Sequence, residues 1–172
     1  PSHAPPLPPP PRPACPLVKL TAGNVSKAVG NLWPENAILV DESITAGRKR
    51  QVMTEGAPRH DLLTLTGGAI GQGLPNAVGA AVACPERPVL ALVGDGSSMY
   101  TIQSLWTMAR EQLDVTTIIF TTASDSVINI EQERVGAEEA GAKAKSQLDL
   151  RGPVLNFAEL AQGMGVRGVR VE

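Results

Sequence analysis

The run Val89-Leu90-Ala91-Leu92-Val93 constrains this chain more than any other stretch. It is apolar at every position and stops at Gly94-Asp95-Gly96. A segment this short, with no polar alternation, reads as a strand buried on both faces. Similar runs occur at residues 37–40 and 115–120, with a weaker one at 62–65 and a last strand expected at 168–171. Helical spacing fills the intervals. Thr21 is placed to cap a helix that buries Val25, Ala28, Val29 and Leu32 and ends at Trp33-Pro34. Residues 74–83 form a small-residue helix closed by Pro85, suited to close helix packing or a subunit interface. Residues 101–112 present Ile102, Leu105, Trp106, Ala109 and Leu113 on an inner face. A short helix covers 156–164. Continuously apolar strands alternating with helices predict an α/β fold, a parallel sheet with helices on both faces in a single domain.

A chain of 172 residues closes such a core without disulfides or a structural metal. Its two cysteines, Cys15 and Cys84, match neither a disulfide framework nor a zinc pattern, and Cys84 reads as a core thiol. The formal net charge of −2 offers no basic surplus for a polyphosphate backbone, so nucleic acid is not the expected partner. No run of about 18 apolar residues predicts a membrane span, no signal peptide is read, and a cytoplasmic location is the expectation. Residues 1–16 hold nine of the fifteen prolines and read as an extended linker ahead of a domain at 17–172. The first residue is Pro, which reads as a fragment or a processed form. Residues 48–60 are expected to hold a helix and a loop, with His60 a solvated loop residue. Another helix is expected near Ser126, and residues 136–152, polar and rich in Gly, Ala and Lys, read as mobile.

In parallel sheets ligands collect at the carboxyl ends of strands, near a switch in strand order. The loops after Val40, Val93 and Phe120 all fall on that edge. In Gly94-Asp95-Gly96-Ser97 the carboxylate suits a hard cation such as Mg²⁺, which prefers oxygen ligands. The glycines let phosphates approach the backbone, and Ser97 can donate to a phosphate. The same letters also make an ordinary Asp-Gly turn, so the triplet alone does not choose.

Context does. Val40-Asp41-Glu42-Ser43, then Thr66-Gly67-Gly68-Ala69-Ile70-Gly71-Gln72-Gly73-Leu74-Pro75, then Gly94-Asp95-Gly96 closing a buried strand, with another strand ending about 27 residues later, together resemble the pyrophosphate-binding domain of thiamine-diphosphate enzymes. The resemblance runs from about Leu17 to the C-terminus and is nearest to acetolactate-synthase-like and benzoylformate-decarboxylase-like proteins. It implies the cofactors thiamine diphosphate and Mg²⁺. It assigns Asp95 to the metal, with Thr122 and the carbonyl of Ser124 as further ligands. It assigns Ser97 and Thr45 to the diphosphate, between the close-approach glycines Gly94 and Gly96. It assigns the Gly68 carbonyl to the aminopyrimidine and Ile70 to the apolar support that bends the cofactor; core packing would satisfy Ile70 equally well. The family motif closes with two asparagines where this chain has Thr121 and Thr122, and Asp125 stands where Tyr or Gly is usual. A carboxylate about 4 Å from a phosphate charge costs about 4 kcal/mol at an effective dielectric of 20.

The resemblance also implies a pyrimidine-binding partner domain, from the same or another chain, which supplies an activating glutamate that Glu42 does not replace. It further implies a 2-oxo acid substrate and a homo-oligomer. The C-terminus stops where relatives continue into a helix, so the domain reads as truncated. Three functions stay open: a domain of a 2-oxo acid decarboxylase or carboligase, a small subunit of a split decarboxylase, and a non-catalytic scaffold with a degenerate metal loop.

Overall fold

A computed structural model describes residues 10–16, 19–48, 54–121, 134, 136, 141–147 and 152–172. The strands are β1 (Ile38–Glu42), β2 (Asp61–Thr64), β3 (Val89–Gly94) and β4 (Val115–Phe120). The helices are α1 (Ala22–Leu32), α2 (Gly73–Ala83), the single turn α3 (Asp95–Ser98), α4 (Ser104–Arg110), α5 (Ala142–Gln147) and α6 (Phe157–Gly163). The strands form one sheet in the order β2-β1-β3-β4, every pair parallel. The chain leaves β1 toward β2, then returns to the other side of β1 to lay down β3. The switch in strand order therefore falls between β1 and β3.

Successive residues of a strand face opposite sides, and both sides of this sheet are apolar. Ile38, Val40, Val89, Ala91 and Val93 pack with Leu74, Ala77 and Ala81 of α2, Leu105 and Met108 of α4, and Ala161 of α6. Leu39 and Leu92 point the other way, against Val29 of α1, Trp33 and Ala37. Helices thus cover both faces, as the uninterrupted apolar runs require. The two edge strands depart from this: all four residues of β2 are exposed, and β4, expected to be a buried strand, has no fully buried residue and carries Thr116 and Thr117. Arg87 fastens the β2 edge. It donates from Nε to the Asn36 carbonyl at 2.7 Å and pairs through Nη1 with Asp61 at 2.7 Å.

Thr21 caps α1 by accepting the Asn24 N–H at 3.1 Å, as expected. Asn156 caps α6 by accepting the Glu159 N–H at 3.3 Å. Cys84 packs, half-buried, against the core of the α2 face. The Pro-rich residues 10–16 adopt neither helix nor strand, yet they lie against the domain: Arg12 donates to the Asn31 carbonyl at 3.2 Å and Asn31 donates back to the Pro13 carbonyl at 2.9 Å.

Several expectations require correction. Residues 168–171 form no strand. A strand needs a ladder partner, and this segment instead runs against α6, where Gln162 donates to the Gly168 carbonyl at 3.2 Å. The helix expected at 101–112 begins at Ser104, and its buried face is Leu105 and Met108. Trp106 lies outside, half exposed, with the Arg110 guanidinium 4.7 Å from its ring centroid. Leu32 is likewise exposed at the end of α1, whose buried residues are Ser26, Val29 and Gly30. β1 extends through Asp41 and Glu42, which were expected in the turn. Residues 44–48 and 54–56 form turns, so the described part of 48–60 holds no helix. His60 is half-buried: its ring centroid is 4.3 Å from that of Trp33, and its Nδ1 meets the Pro58 carbonyl at 2.7 Å. Within 136–152, read as mobile, lies α5, in keeping with the helix propensity of Ala, Lys and Gln. The helix expected near Ser126 falls outside the described residues. Among the described residues, no helix is long and apolar enough to cross a membrane.

Candidate functional site at the carboxyl edge

Strand register gathers the motif residues. Glu42 is level with Val93, and Gly94 with Phe120, so β1, β3 and β4 end side by side. β2 ends at Thr64 and leads straight into the glycine-rich turn. The site therefore draws on four strand ends, one more than the three loops picked out by sequence.

After β1 the chain turns tightly. The Asp41 carboxylate accepts the Ser43 N–H at 3.0 Å and also the Ser43 hydroxyl. The Ala46 N–H returns to the Ser43 carbonyl at 3.0 Å. Ile44 sits within this turn at φ 46°, a conformation that β-branched residues seldom adopt and that costs about 1–3 kcal/mol. Thr45 follows it, half-buried.

After β3, Asp95 opens the one-turn α3 and is 6% exposed, less open than its flanking glycines suggested. Its Oδ1 accepts the Gly96 N–H at 3.0 Å, and its carbonyl accepts the Ser98 hydroxyl at 2.8 Å. Ser97 is also buried, while Gly94 and Gly96 are half-buried. Thr121, at the end of β4, is exposed. Thr122, Ser124 and Asp125 lie outside the described residues, so the second half of the expected metal shell is not described.

The glycine-rich turn after β2 is backbone-driven. Gly67 and Gly68 have φ of 64° and 68°, and a Cβ at either would meet nothing within 4 Å. Glycine is needed there for conformation, and the space above the backbone stays open. Gly71 combines φ 96° with crowding: a Cβ would come within 2.6 Å of Tyr100 Cβ. Gly71→Ala is accordingly expected to cost about 1–3 kcal/mol, read as a lower urea midpoint at unchanged m-value. A loss under a few tenths of a kcal/mol would show that this turn is not held as drawn. Ile70 is half-buried beside it.

Sequence reading missed what holds this turn. Glu42, 2% exposed, accepts the Gly71 N–H at 2.5 Å and the Gly73 N–H at 2.7 Å on its two carboxylate oxygens. Thr101 donates its hydroxyl to the Gly71 carbonyl at 2.7 Å. Gln72 donates to the carbonyls of Thr66 at 3.0 Å and Ala69 at 2.9 Å. The signal was present: an acidic residue closing an apolar strand needs donors, and Gly-X-Gly provides two without side chains in the way.

These donors suit a diphosphate held through a hard divalent ion. One carboxylate, nearby hydroxyls and accessible backbone match Mg²⁺, which keeps phosphate oxygens and water in its shell. Among the described residues no three His, Cys, Asp or Glu side chains converge on a metal, so a site built wholly from such ligands does not fit here.

A parallel α/β domain with a phosphate-suited edge at its topological switch is the class that fold and site define. Residues 44–172 match the family described as thiamine pyrophosphate enzyme, C-terminal TPP binding domain, and the chain belongs to that family. It is 53% identical over 161 residues to a Mycobacterium tuberculosis protein provisionally named acetolactate synthase large subunit IlvX, covering 93% of this chain and 31% of that one. It is 33% identical over 148 residues to benzoylformate decarboxylase of Pseudomonas aeruginosa, covering 84% and 26%. The solved Rhodococcus jostii RHA1 thiamine diphosphate-dependent 4-hydroxybenzoylformate decarboxylase superposes with a TM-score of 0.76 at 30% identity, over 96% of this chain and 30% of that one. The chain thus spans between about a quarter and a third of the length of these relatives.

Proposed function

We propose that this chain is the diphosphate-side half of a thiamine diphosphate and Mg²⁺ site in a 2-oxo acid decarboxylase or carboligase of the acetolactate synthase type. The observation that carries the reading is the pairing of two turns across the β1–β3 switch. One bears Gly68 and Ile70, the other Asp95 and Ser97. In this reading Asp95 ligates the metal, joined by Thr122 and the Ser124 carbonyl, while Ser97 and Thr45 meet the diphosphate. Gly94 and Gly96 admit the phosphates to the backbone. The Gly68 carbonyl receives the aminopyrimidine, and Ile70 supports the bent cofactor. When bound, the cofactor supplies the nucleophilic carbon and the electron sink that 2-oxo acid decarboxylation needs. The protein's share is to bind, orient and exclude water. A pyrimidine-side domain, on this or another chain, completes the site, and a cytoplasmic homo-oligomer is the assembly the reading favours.

The test is calorimetric titration of thiamine diphosphate with Mg²⁺, alone and with a pyrimidine-side domain from a relative. Saturable heat that disappears with EDTA is expected; its absence in both arrangements would leave the scaffold reading. That second reading draws on Thr121 and Thr122 standing where the family motif carries two asparagines. Thr122→Asn is expected to tighten Mg²⁺-dependent binding by about threefold to tenfold, the worth of one better oxygen ligand at about 1 kcal/mol. Unchanged affinity would remove residue 122 from the metal shell.

A further inference from the structure

Glu42 is a carboxylate at the end of the second strand of the sheet order, buried to 2% exposure, and it holds two backbone N–H groups of another segment. We infer that Glu42 is a positioning residue: its two hydrogen bonds to Gly71 and Gly73 fix the conformation of the turn that carries Gly68 and Ile70. The inference rests on the cofactor reading above and adds to it a residue that touches neither metal nor diphosphate in that reading.

Three features carry it. First, each carboxylate oxygen takes a separate amide, at 2.5 Å from Gly71 and 2.7 Å from Gly73, so both ends of one short stretch are tied to a single rigid group. Hydrogen bonds to an ionised acceptor are short and about twice as strong as neutral ones. Second, the fit is mutual. A Cβ at Gly73 would stand 2.6 Å from Oε2 and 2.9 Å from Cβ of Glu42, so the glycine exists in the space that the carboxylate requires. Third, the turn is pinned from more than one direction. The Gly71 carbonyl accepts the Thr101 hydroxyl, while Gln72 spans the loop to Thr66 and Ala69 and accepts from Asn76 at 3.2 Å. Within that pinned turn Gly67 and Gly68 have left-handed backbone and open space above them, so a ligand can approach their backbone. A loop of consecutive left-handed glycines is entropically costly to order, so outside restraint is what lets it meet a ligand ready-shaped.

The role separates Glu42 from the metal turn and makes a selective prediction. Glu42→Gln keeps the size of the side chain but replaces one acceptor by an NH₂ facing an N–H. In the full chain, under whichever titration arrangement binds cofactor, this variant is expected to weaken thiamine diphosphate about tenfold or more. Inorganic diphosphate with Mg²⁺, which the reading assigns to Asp95, Ser97, Thr45 and the loop after β4 and not to the glycine-rich turn, is expected to bind within twofold of wild type. The backbone amide protons of Gly71 and Gly73 in the ¹⁵N–¹H spectrum should move upfield together. Gly73→Ala is expected to reproduce this selective loss, and the double variant to show less than the sum of the two, because both remove one interaction. Should Glu42→Gln not fold, Thr101→Val, which loosens Gly71 from the other side, is expected to give the same selectivity at smaller size.

Equal weakening of both ligands would reduce Glu42 to general support of the fold and overturn the role. So would an unchanged thiamine diphosphate affinity, or glycine amides that stay in place. A wild-type chain that binds neither ligand in either arrangement would end the cofactor reading itself, and that failure is visible before any variant is made.

Discussion

Asp95→Asn is expected to abolish Mg²⁺-dependent binding of thiamine diphosphate, weakening it by at least about 100-fold, or about 2.7 kcal/mol. In the proposed site this is the acidic side chain that meets the metal, and a divalent ion losing an anionic ligand loses several kcal/mol of attraction even at an effective dielectric near 20. Asn preserves the size of the side chain and leaves an oxygen able to accept the Gly96 N–H that Oδ1 takes at 3.0 Å. The fold should therefore survive, and the loss should fall on the ligand. Calorimetry with Mg²⁺ checks it, with circular dichroism as the control for folding. Binding within threefold of wild type would remove Asp95 from the metal.

The second large effect concerns the core. Leu92, 1% exposed, lies on β3 with strands on either side, and packs toward α1 and Trp33. Leu92→Ala is expected to cost about 2–5 kcal/mol, the transfer of the lost methyl groups plus the cavity that a sheet held on both sides cannot close. Leu62→Ala on β2, where the side chain is 42% exposed at the sheet edge, is expected to cost less than about 1 kcal/mol. Urea unfolding of the two variants tests the contrast. Equal losses would mean that β2 is as central as β3, contrary to the strand order.

How far the sequence reached follows from which forces act locally. The apolar runs of β1 and β3 were legible because a strand buried on both faces needs apolar residues throughout, a property that survives without knowledge of its neighbours. β4, expected to be buried as well, carries Thr116 and Thr117 and lies at the sheet edge with no residue fully buried, since strand order is not written in the run itself. The cap at Thr21 was legible because a side chain and the N–H three residues on suffice, whereas Asn156, read as the first residue of its helix, is the cap of α6. Trp106 and Leu32 were misread because helical periodicity gives a face but not the angle at which a neighbour arrives. In α4 the buried face is Leu105 and Met108, and rotation by one residue carries Trp106 out to solvent. Residues 168–171 had strand-like letters but no ladder partner, and pairing is a tertiary fact.

At the candidate site, legibility stopped at the same boundary. Asp95, Ser97, Gly68 and Ile70 were picked out by their motifs, and the strand register brings their turns to one edge. Glu42 was noticed at that edge and set aside, because its task depends on amides 29 and 31 residues later in the chain. The strained φ of Ile44 was equally invisible, since no residue type announces a conformation it disfavours.

The most direct measurement replaces Mg²⁺ with paramagnetic Mn²⁺ in the presence of thiamine diphosphate and follows amide broadening along the ¹⁵N-labelled chain. Broadening centred on residues 94–98 and 121–125, extending to 43–46 and 66–71 and sparing α6, is the expected pattern. Broadening centred on any other part of the chain, or none at saturating cofactor, would contradict a metal-bridged diphosphate at the end of β3.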